Sequence, residues 1–182
     1  MVALGIWQLA RAEEKGAALA RYDANLAAPP LTVREPVDLG ADLFRRAEAT
    51  CSPGATRLQG AGRFGFRLLA ECKVLAGGQR LLVQLGTTRD IQAGGKWNGG
   101  RVSGYLTEAP DSRSVFRQAF DRRPALPMIV ADPPLAGLAP SPGPSIAEVP
   151  NNHRSYAVQW FSFAGLALLI YGLALRARRG RA

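Results

Sequence analysis

The chain is poor in the side chains that most chemistry needs: one histidine, two cysteines and three lysines among 182 residues. With a single imidazole and no G-x-S-x-G, H-E-x-x-H, G-x-x-x-x-G-K or G-x-G-x-x-G pattern, it lacks the constellations of hydrolase, metalloprotease, phosphate-loop and dinucleotide sites. Glu13 and Glu14 sit in a charged helical stretch, where a solvated face is a simpler reading than acid–base work. The separation of Cys51 and Cys72 is unlike a C-x-x-C metal pair, and two thiols do not make a four-ligand zinc site. Two readings stay open for them: a disulfide, which an oxidising compartment favours, or two buried unpaired thiols. Lysine is scarce although the net charge is +9. Arg176, Arg178, Arg179 and Arg181 crowd the last seven positions. No zinc-finger spacing or basic heptad region accompanies them, so a nucleic-acid partner is not expected and a membrane border explains the charge better.

What the chain has is a long apolar run. Tyr156 to Leu175, YAVQWFSFAGLALLIYGLAL, is twenty residues without a charge, enough at about 1.5 Å per residue to span a hydrocarbon core of about 30 Å. A buried soluble helix would rarely stay uncharged for five turns and then meet RARRGR. By the positive-inside rule that arginine cluster belongs in the cytoplasm, which puts Asn151, Asn152 and His153 at the outer face with the domain before them. Asn151 or Asn152 is a candidate helix N-cap. At the other end, Val2 to Trp7 (VALGIW) reads as the last turns of an apolar helix, too short to cross a bilayer or to serve as a secretory signal. It is expected to be either the remainder of a first anchor or a segment internal to a longer protein.

Between these ends, Ile6 to about Asn25 carries apolar residues at Ile6, Leu9, Ala10, Ala17 and Ala20 at roughly helical spacing, and Pro29-Pro30 stops it. Phe64, Phe66 and Leu68 alternate with Arg63, Gly65 and Arg67, the period of a half-buried strand over Arg63 to Ala70. Further short strands are expected at Arg80 to Leu85, Arg101 to Leu106 and Met128 to Ala131, with Gly77-Gly78, Gly94-Gly95 and Gly99-Gly100 as turns. Pro133 to Pro150 has six prolines in eighteen residues and reads as a stiff tether. The expected class is α+β and membrane-anchored: an antiparallel β domain with helical additions, flanked by an N-terminal helix (a truncated anchor) and a C-terminal transmembrane helix. Its parts are helix over 1–25, β domain over 26–132, tether over 133–152, membrane helix over 153–176 and basic tail over 177–182.

Two blocks carry a resemblance. LGIWQLARAEEK (Leu4 to Lys15) resembles the LG-x-WQ-x-x-R-x-x-x-K signature of the surfeit locus protein one family. NNHRSYAVQWFSFA (Asn151 to Ala164) resembles that family's NNH-x-x-YA-x-x-WF motif at the start of its second membrane helix. The order of the blocks also fits a family with one helix at each end and an extra-cytoplasmic domain between. In place of the family's usual V-x-RGW-V strand, Leu82 to Thr88 reads LVQLGTT. The resemblance implies a non-enzymatic assembly factor for haem-copper cytochrome c oxidase in a bacterial inner membrane, its main domain periplasmic and its C-terminus cytoplasmic. The implied partners are oxidase subunit I, other assembly factors and membrane lipid.

The implied cofactor is haem a, bound transiently. Neutral imidazole is a standard axial ligand of haem iron, so His153 is the expected iron ligand. Beyond it the helical face runs through Ala157, Trp160 and Ala164, small residues beside a flat aromatic that leave room for a macrocycle or for another helix. Tyr156 belongs to the same motif. Arg11 and Lys15, i and i+4 on the first helix, are expected to face haem propionates or lipid headgroups. Trp7 and Gln8 complete the expected cofactor-binding set. The reading from a different class is a protein-binding scaffold that steadies an oxidase assembly intermediate without touching haem.

Overall fold

The computed structural model describes residues 1–92, 97–110 and 124–180. Gly94-Gly95 and Arg181 therefore lie outside the described residues. The chain divides into two units, one of Met1–Ala20 with Ile146–Ala182 and one of Arg21–Ser145.

The larger unit is built on β1 (Leu31–Thr32), β2 (Arg46–Ser52), β3 (Thr56–Gly60), β4 (Phe66–Val74), β5 (Arg80–Thr88), β6 (Gly100–Glu108) and β7 (Pro127–Ala131). They form one sheet in the order β1-β2-β6-β7-β5-β4-β3, and β2 also pairs with β4. That last pairing closes β2, β6, β7, β5 and β4 into a ring. Its seam is short, with Cys51 opposite Val74 and Ser52 opposite Lys73. The Cys51–Cys72 disulfide ties the same two strands, with Cα atoms 5.2 Å apart. The ring's interior is apolar: Ala47, Ala49 and Cys51 from β2 meet Leu68, Val83, Leu85, Val102, Leu106 and Ile129, all buried.

The sheet is only partly a meander. β3, β4 and β5 follow one another antiparallel, as do β6 and β7, but β7 lies parallel to β5. The expected strand at Arg63 to Ala70 is shifted. Gly62–Phe64 is a 3-10 turn and β4 runs on from Phe66 to Val74. A register shift between Leu68 and Leu69 breaks the alternation, so both leucines are buried, Leu68 inside the ring and Leu69 with Leu82, Met128 and Val130 in a second cluster.

The LVQLGTT segment is the last seven residues of β5 and is buried throughout except for Thr88. Its two buried polar side chains are satisfied locally. Gln84 donates to Ser141 Oγ at 2.7 Å, and Thr87 Oγ1 donates to the Pro140 carbonyl at 3.0 Å. Both partners come from the proline-rich stretch, which differs from a free tether over its first half. The Leu135 amide donates to the Leu85 carbonyl, Thr87 and Ala139 form a β-bridge, and Leu135 and Leu138 pack on the core. A cis Asp132–Pro133 bond begins this stretch.

On β2 and β6, surface charges pair across strands. Arg46 reaches Asp132 at 3.1 Å and Tyr105 Oη at 2.9 Å, and Arg101 donates to Glu48 at 2.6 Å. The hydrogen bond to Glu48, and then its charge, raises the Arg101 guanidinium above its ordinary pKa. The last turns of α1 (Val2–Ala27) belong to this unit. Asn25 donates to the carbonyls of Ala41 and Leu43, Arg21 donates to that of Gly40, and Tyr22 packs on Phe44 at 5.2 Å. These acceptors lie in and just after α2 (Leu39–Asp42), whose N-cap Asp38 accepts from the Gly40 amide.

The smaller unit holds α1 as far as Ala20 and α3 (His153–Arg179). α3 is long and apolar enough to cross a membrane, and only 6% of its apolar window is buried. A core helix of a soluble protein would be mostly covered. Here Val158, Leu166, Leu168, Ile170 and Leu173 are exposed, the arrangement lipid requires. Asn152 takes the N-cap position without a side-chain cap bond. Instead its carbonyl accepts from the Tyr156 amide, the ordinary first helical bond.

Candidate functional site

The site is built within the smaller unit from one stripe on each helix. On α1 the large apolar side chains point outward: Ile6 and Leu9 are 59% and 44% exposed. The covered stripe is Gly5, Gln8, Ala12 and Lys15, spaced by three and four residues, with Gly5 and Ala12 buried and the other two half-buried. The arrangement has a physical cause. Near a membrane the bulky apolar residues face lipid, while small residues let helices approach. On α3 the covered stripe is His153, Ala157, Trp160 and Ala164, the face anticipated from the sequence.

The helices meet at two places. A methyl group placed on Gly5 would lie 2.7 Å from the Phe161 ring, so any larger residue there must displace that ring. Closer to the start of α3, His153 Nδ1 lies 2.7 Å from Gln8 Oε1, a contact between residues 145 positions apart. It joins the two sequence blocks. Beside it is a cleft of about 330 Å³ lined by Arg11, Glu14, Lys15, Ala18, Pro150 and His153.

Arg11, Lys15 and His153 thus come together at one cleft, and Gln8 reaches it through its bond to the imidazole. Arg11 is already engaged. It forms an ion pair with Glu14, and its Cζ lies 6.0 Å from the centroid of the Trp7 ring. Trp7 and Tyr156 are half exposed and do not line the cleft, while Ala157 is buried. Trp160 packs edge-on against Phe163 at 6.2 Å. Glu14 and Ala18 are lining residues that the sequence reading left out. Their helical spacing, Glu14 three residues after Arg11 and Ala18 three after Lys15, was the available signal.

The model of the SURF1 family, the surfeit locus protein one family, matches residues 1–165. The chain belongs to the SURF1 family. No curated protein sequence matches it. The SURF1 family is one of cytochrome oxidase assembly factors and not a family of enzymes, so oxidase-related partners follow from membership. Both blocks that carried the resemblance lie inside the matched region, and the structure brings their side chains into contact at Gln8 and His153.

A haem can be tested against these side chains. A closed zinc or copper site needs three or four protein ligands, and among the described residues no three His, Cys, Asp or Glu side chains gather to hold a metal ion. A haem brings four ligands of its own and needs one axial donor. A lone imidazole at a cleft, with one ring nitrogen engaged by an amide and two cations nearby for propionates, fits that group.

Proposed function

We propose that this SURF1-family chain binds haem a transiently through His153 and presents it to subunit I of the oxidase. We further propose that it does so at a bacterial inner membrane, with the β unit periplasmic and the C-terminus cytoplasmic. The observation that carries the reading is the Gln8–His153 contact at the rim of the cationic cleft. A ligating histidine usually donates its second ring N–H to a carbonyl or carboxylate, and His153 has such a partner. A bound haem would supply the iron centre, and His153 would be the residue that holds it. The chain's own work is to orient the imidazole and to neutralise the propionates with Arg11 and Lys15. A propionate would compete with Glu14 for Arg11. An exposed pair of this kind is worth less than about 1 kcal/mol, so the exchange is easy in both directions, as suits a carrier that must release its cargo.

The arginine cluster after Leu175 supports the orientation, since basic residues are retained on the cytoplasmic side. The engagement of Arg11 with Glu14 also favours a second reading, a scaffold that steadies an oxidase intermediate without haem. An absorption spectrum decides between them. The full chain purified from cells that make haem a carries a haem spectrum under the first reading and none under the second. His153→Ala should abolish it while the protein stays inserted and folded. Arg11→Ala should weaken binding by about 1.5–3 kcal/mol, the value of one charge-assisted hydrogen bond. Unchanged haem content in His153→Ala would remove His153 as the ligand.

A further inference from the structure

We infer that Gln8 is a positioning residue that holds His153 in its Nδ1–H tautomer, leaving the Nε2 lone pair available at the cleft. The inference begins with proton inventory. A glutamine Oε1 accepts hydrogen bonds and donates none, and a neutral imidazole carries one N–H. A distance of 2.7 Å between Nδ1 and Oε1 therefore requires the proton on Nδ1. Nε2 is then the basic nitrogen, and it has no hydrogen-bond partner among the described residues. In water the imidazole side chain favours the opposite tautomer, with the proton on Nε2, which offers no lone pair there to a metal. Gln8 thus reverses the intrinsic preference.

The surroundings make the reversal directional. Gln8 lies between buried Gly5 and Ala12 on the covered stripe of α1, so its amide is held at a fixed height on the helix instead of moving freely in solvent. His153 is the first residue of α3. Because the two partners sit on different helices, the correct tautomer exists only when α1 and α3 are packed. An α1 displaced by a partner would free the imidazole to return its proton to Nε2 and lose the donor. That gives the carrier a release device, and this part of the inference rests on the haem reading above.

The single histidine makes the test direct, because ¹⁵N-histidine labelling of the full chain in detergent micelles yields one pair of ring nitrogens. At alkaline pH, where imidazoles are neutral, the wild-type haem-free protein is expected to show a protonated Nδ1 and a pyridine-like Nε2. Gln8→Leu, close in size but without an acceptor, should shift the population toward Nε2–H. Gln8→Glu, which keeps an acceptor, should restore Nδ1–H. In haem-loaded protein Gln8→Leu should bind about 10-fold less tightly, and Gln8→Glu should lower the iron midpoint potential by making the ligand more electron-rich. A wild-type Nε2–H pattern means the amide presents its NH₂ group, and it overturns the inference. So does a Gln8→Leu spectrum identical to wild type, provided circular dichroism shows both folded. The two readings fail separately. If the tautomer moves as expected but His153→Ala retains its haem, the haem reading falls and the tautomer lock stands. If His153→Ala loses haem while the Gln8 variants leave tautomer and potential unchanged, the lock falls and the haem reading stands.

Discussion

Removing the Cys51–Cys72 bond should cost the β unit a large part of its stability, through the seam of the ring. The bond closes a sequence separation of 21 residues, for which the loss of loop-closure entropy in the unfolded chain gives about 3 kcal/mol. Its position suggests that the figure will be realised in full. β2 and β6 share six register pairs, whereas β2 and β4 share two, with the bridge beside them. Without it the seam is left with those two pairs and the bonds from the Leu75 amide to the Thr50 carbonyl and from Ser52 Oγ to the Lys73 carbonyl. Cys51→Ala with Cys72→Ala also empties two buried sulfur positions in the core, adding roughly another 1 kcal/mol for each lost group of that size. The assay is thermal unfolding of the full chain in detergent, followed by β-sheet ellipticity, for oxidised wild type, reduced wild type and the double variant. A loss of about 3 kcal/mol corresponds to a midpoint lowered by roughly 10 °C in a domain of this size. Reduced wild type should fall by about that much and the double variant further, by about 5 kcal/mol or roughly 16 °C, because it also loses the two buried sulfurs. Equal midpoints for oxidised and reduced protein, or two alkylatable thiols in denatured, unreduced protein, would refute the reasoning.

Other perturbations read different parts of the fold. A methyl group on Gly104 would sit 1.9 Å from the Val130 carbonyl oxygen across the β6–β7 pair. Gly104→Ala should therefore destabilise by about 3 kcal/mol or more, while Gly143→Ala, with nothing within 4 Å, should stay within about 0.5 kcal/mol of wild type by chemical denaturation. Ser141→Ala leaves the buried Gln84 amide without its acceptor and should cost about 1–3 kcal/mol, whereas Gln84→Leu combined with Ser141→Ala should recover most of that loss. A topology reporter fused after Ala182 should be active only in the cytoplasm and one inserted at the exposed turn residue Gly78 only outside it. The reverse pattern would overturn the proposed orientation.

The parts of the fold readable from sequence are those where periodicity or length acts alone. α3 was readable because its run of uncharged residues has few other physical uses, and β5, β6 and β7 because short apolar runs between glycines make strands. β2 was missed although Ala47, Ala49 and Cys51 alternate with Arg46, Glu48 and Thr50. Its inward residues are small, and alanine between charged residues reads as helix. β3 and the two-residue β1 offer still less. The parallel β5–β7 pairing and the closing β2–β4 seam join residues distant in sequence, and neither period nor turn chemistry encodes them. The packed half of the proline-rich stretch was hidden by composition. Proline reports stiffness, but Leu135, Leu138 and Ser141 decide that the stiff segment lies on the sheet.

For the site, the motif blocks supplied the residue names, and the helical period supplied the His153, Ala157, Trp160 face. What the period could not supply was the pairing between blocks. On α1 it pointed to Ile6 and Leu9, because hydrophobic periodicity finds the side a helix hides from water, and a helix at a membrane shows its apolar side to lipid. The covered stripe of α1 instead includes Gln8 and Lys15, polar residues whose place is explained by what they meet and not by their transfer energies. A half-buried amide between a glycine and an alanine is costly unless it has a partner, and the partner it finds is the chain's one imidazole. Glutamine is suited to that position. Its carbonyl is a neutral acceptor long enough to cross between helices. Under the proposed haem reading, a carboxylate there would add a negative charge to a cleft that would take propionates, and an alanine would leave the ring unheld. The same reasoning makes Glu14 informative, since it places one carboxylate where a propionate would compete for Arg11. Cations that are already lightly paired exchange partners at little cost, and the proposed hand-over of haem would need that more than it would need affinity.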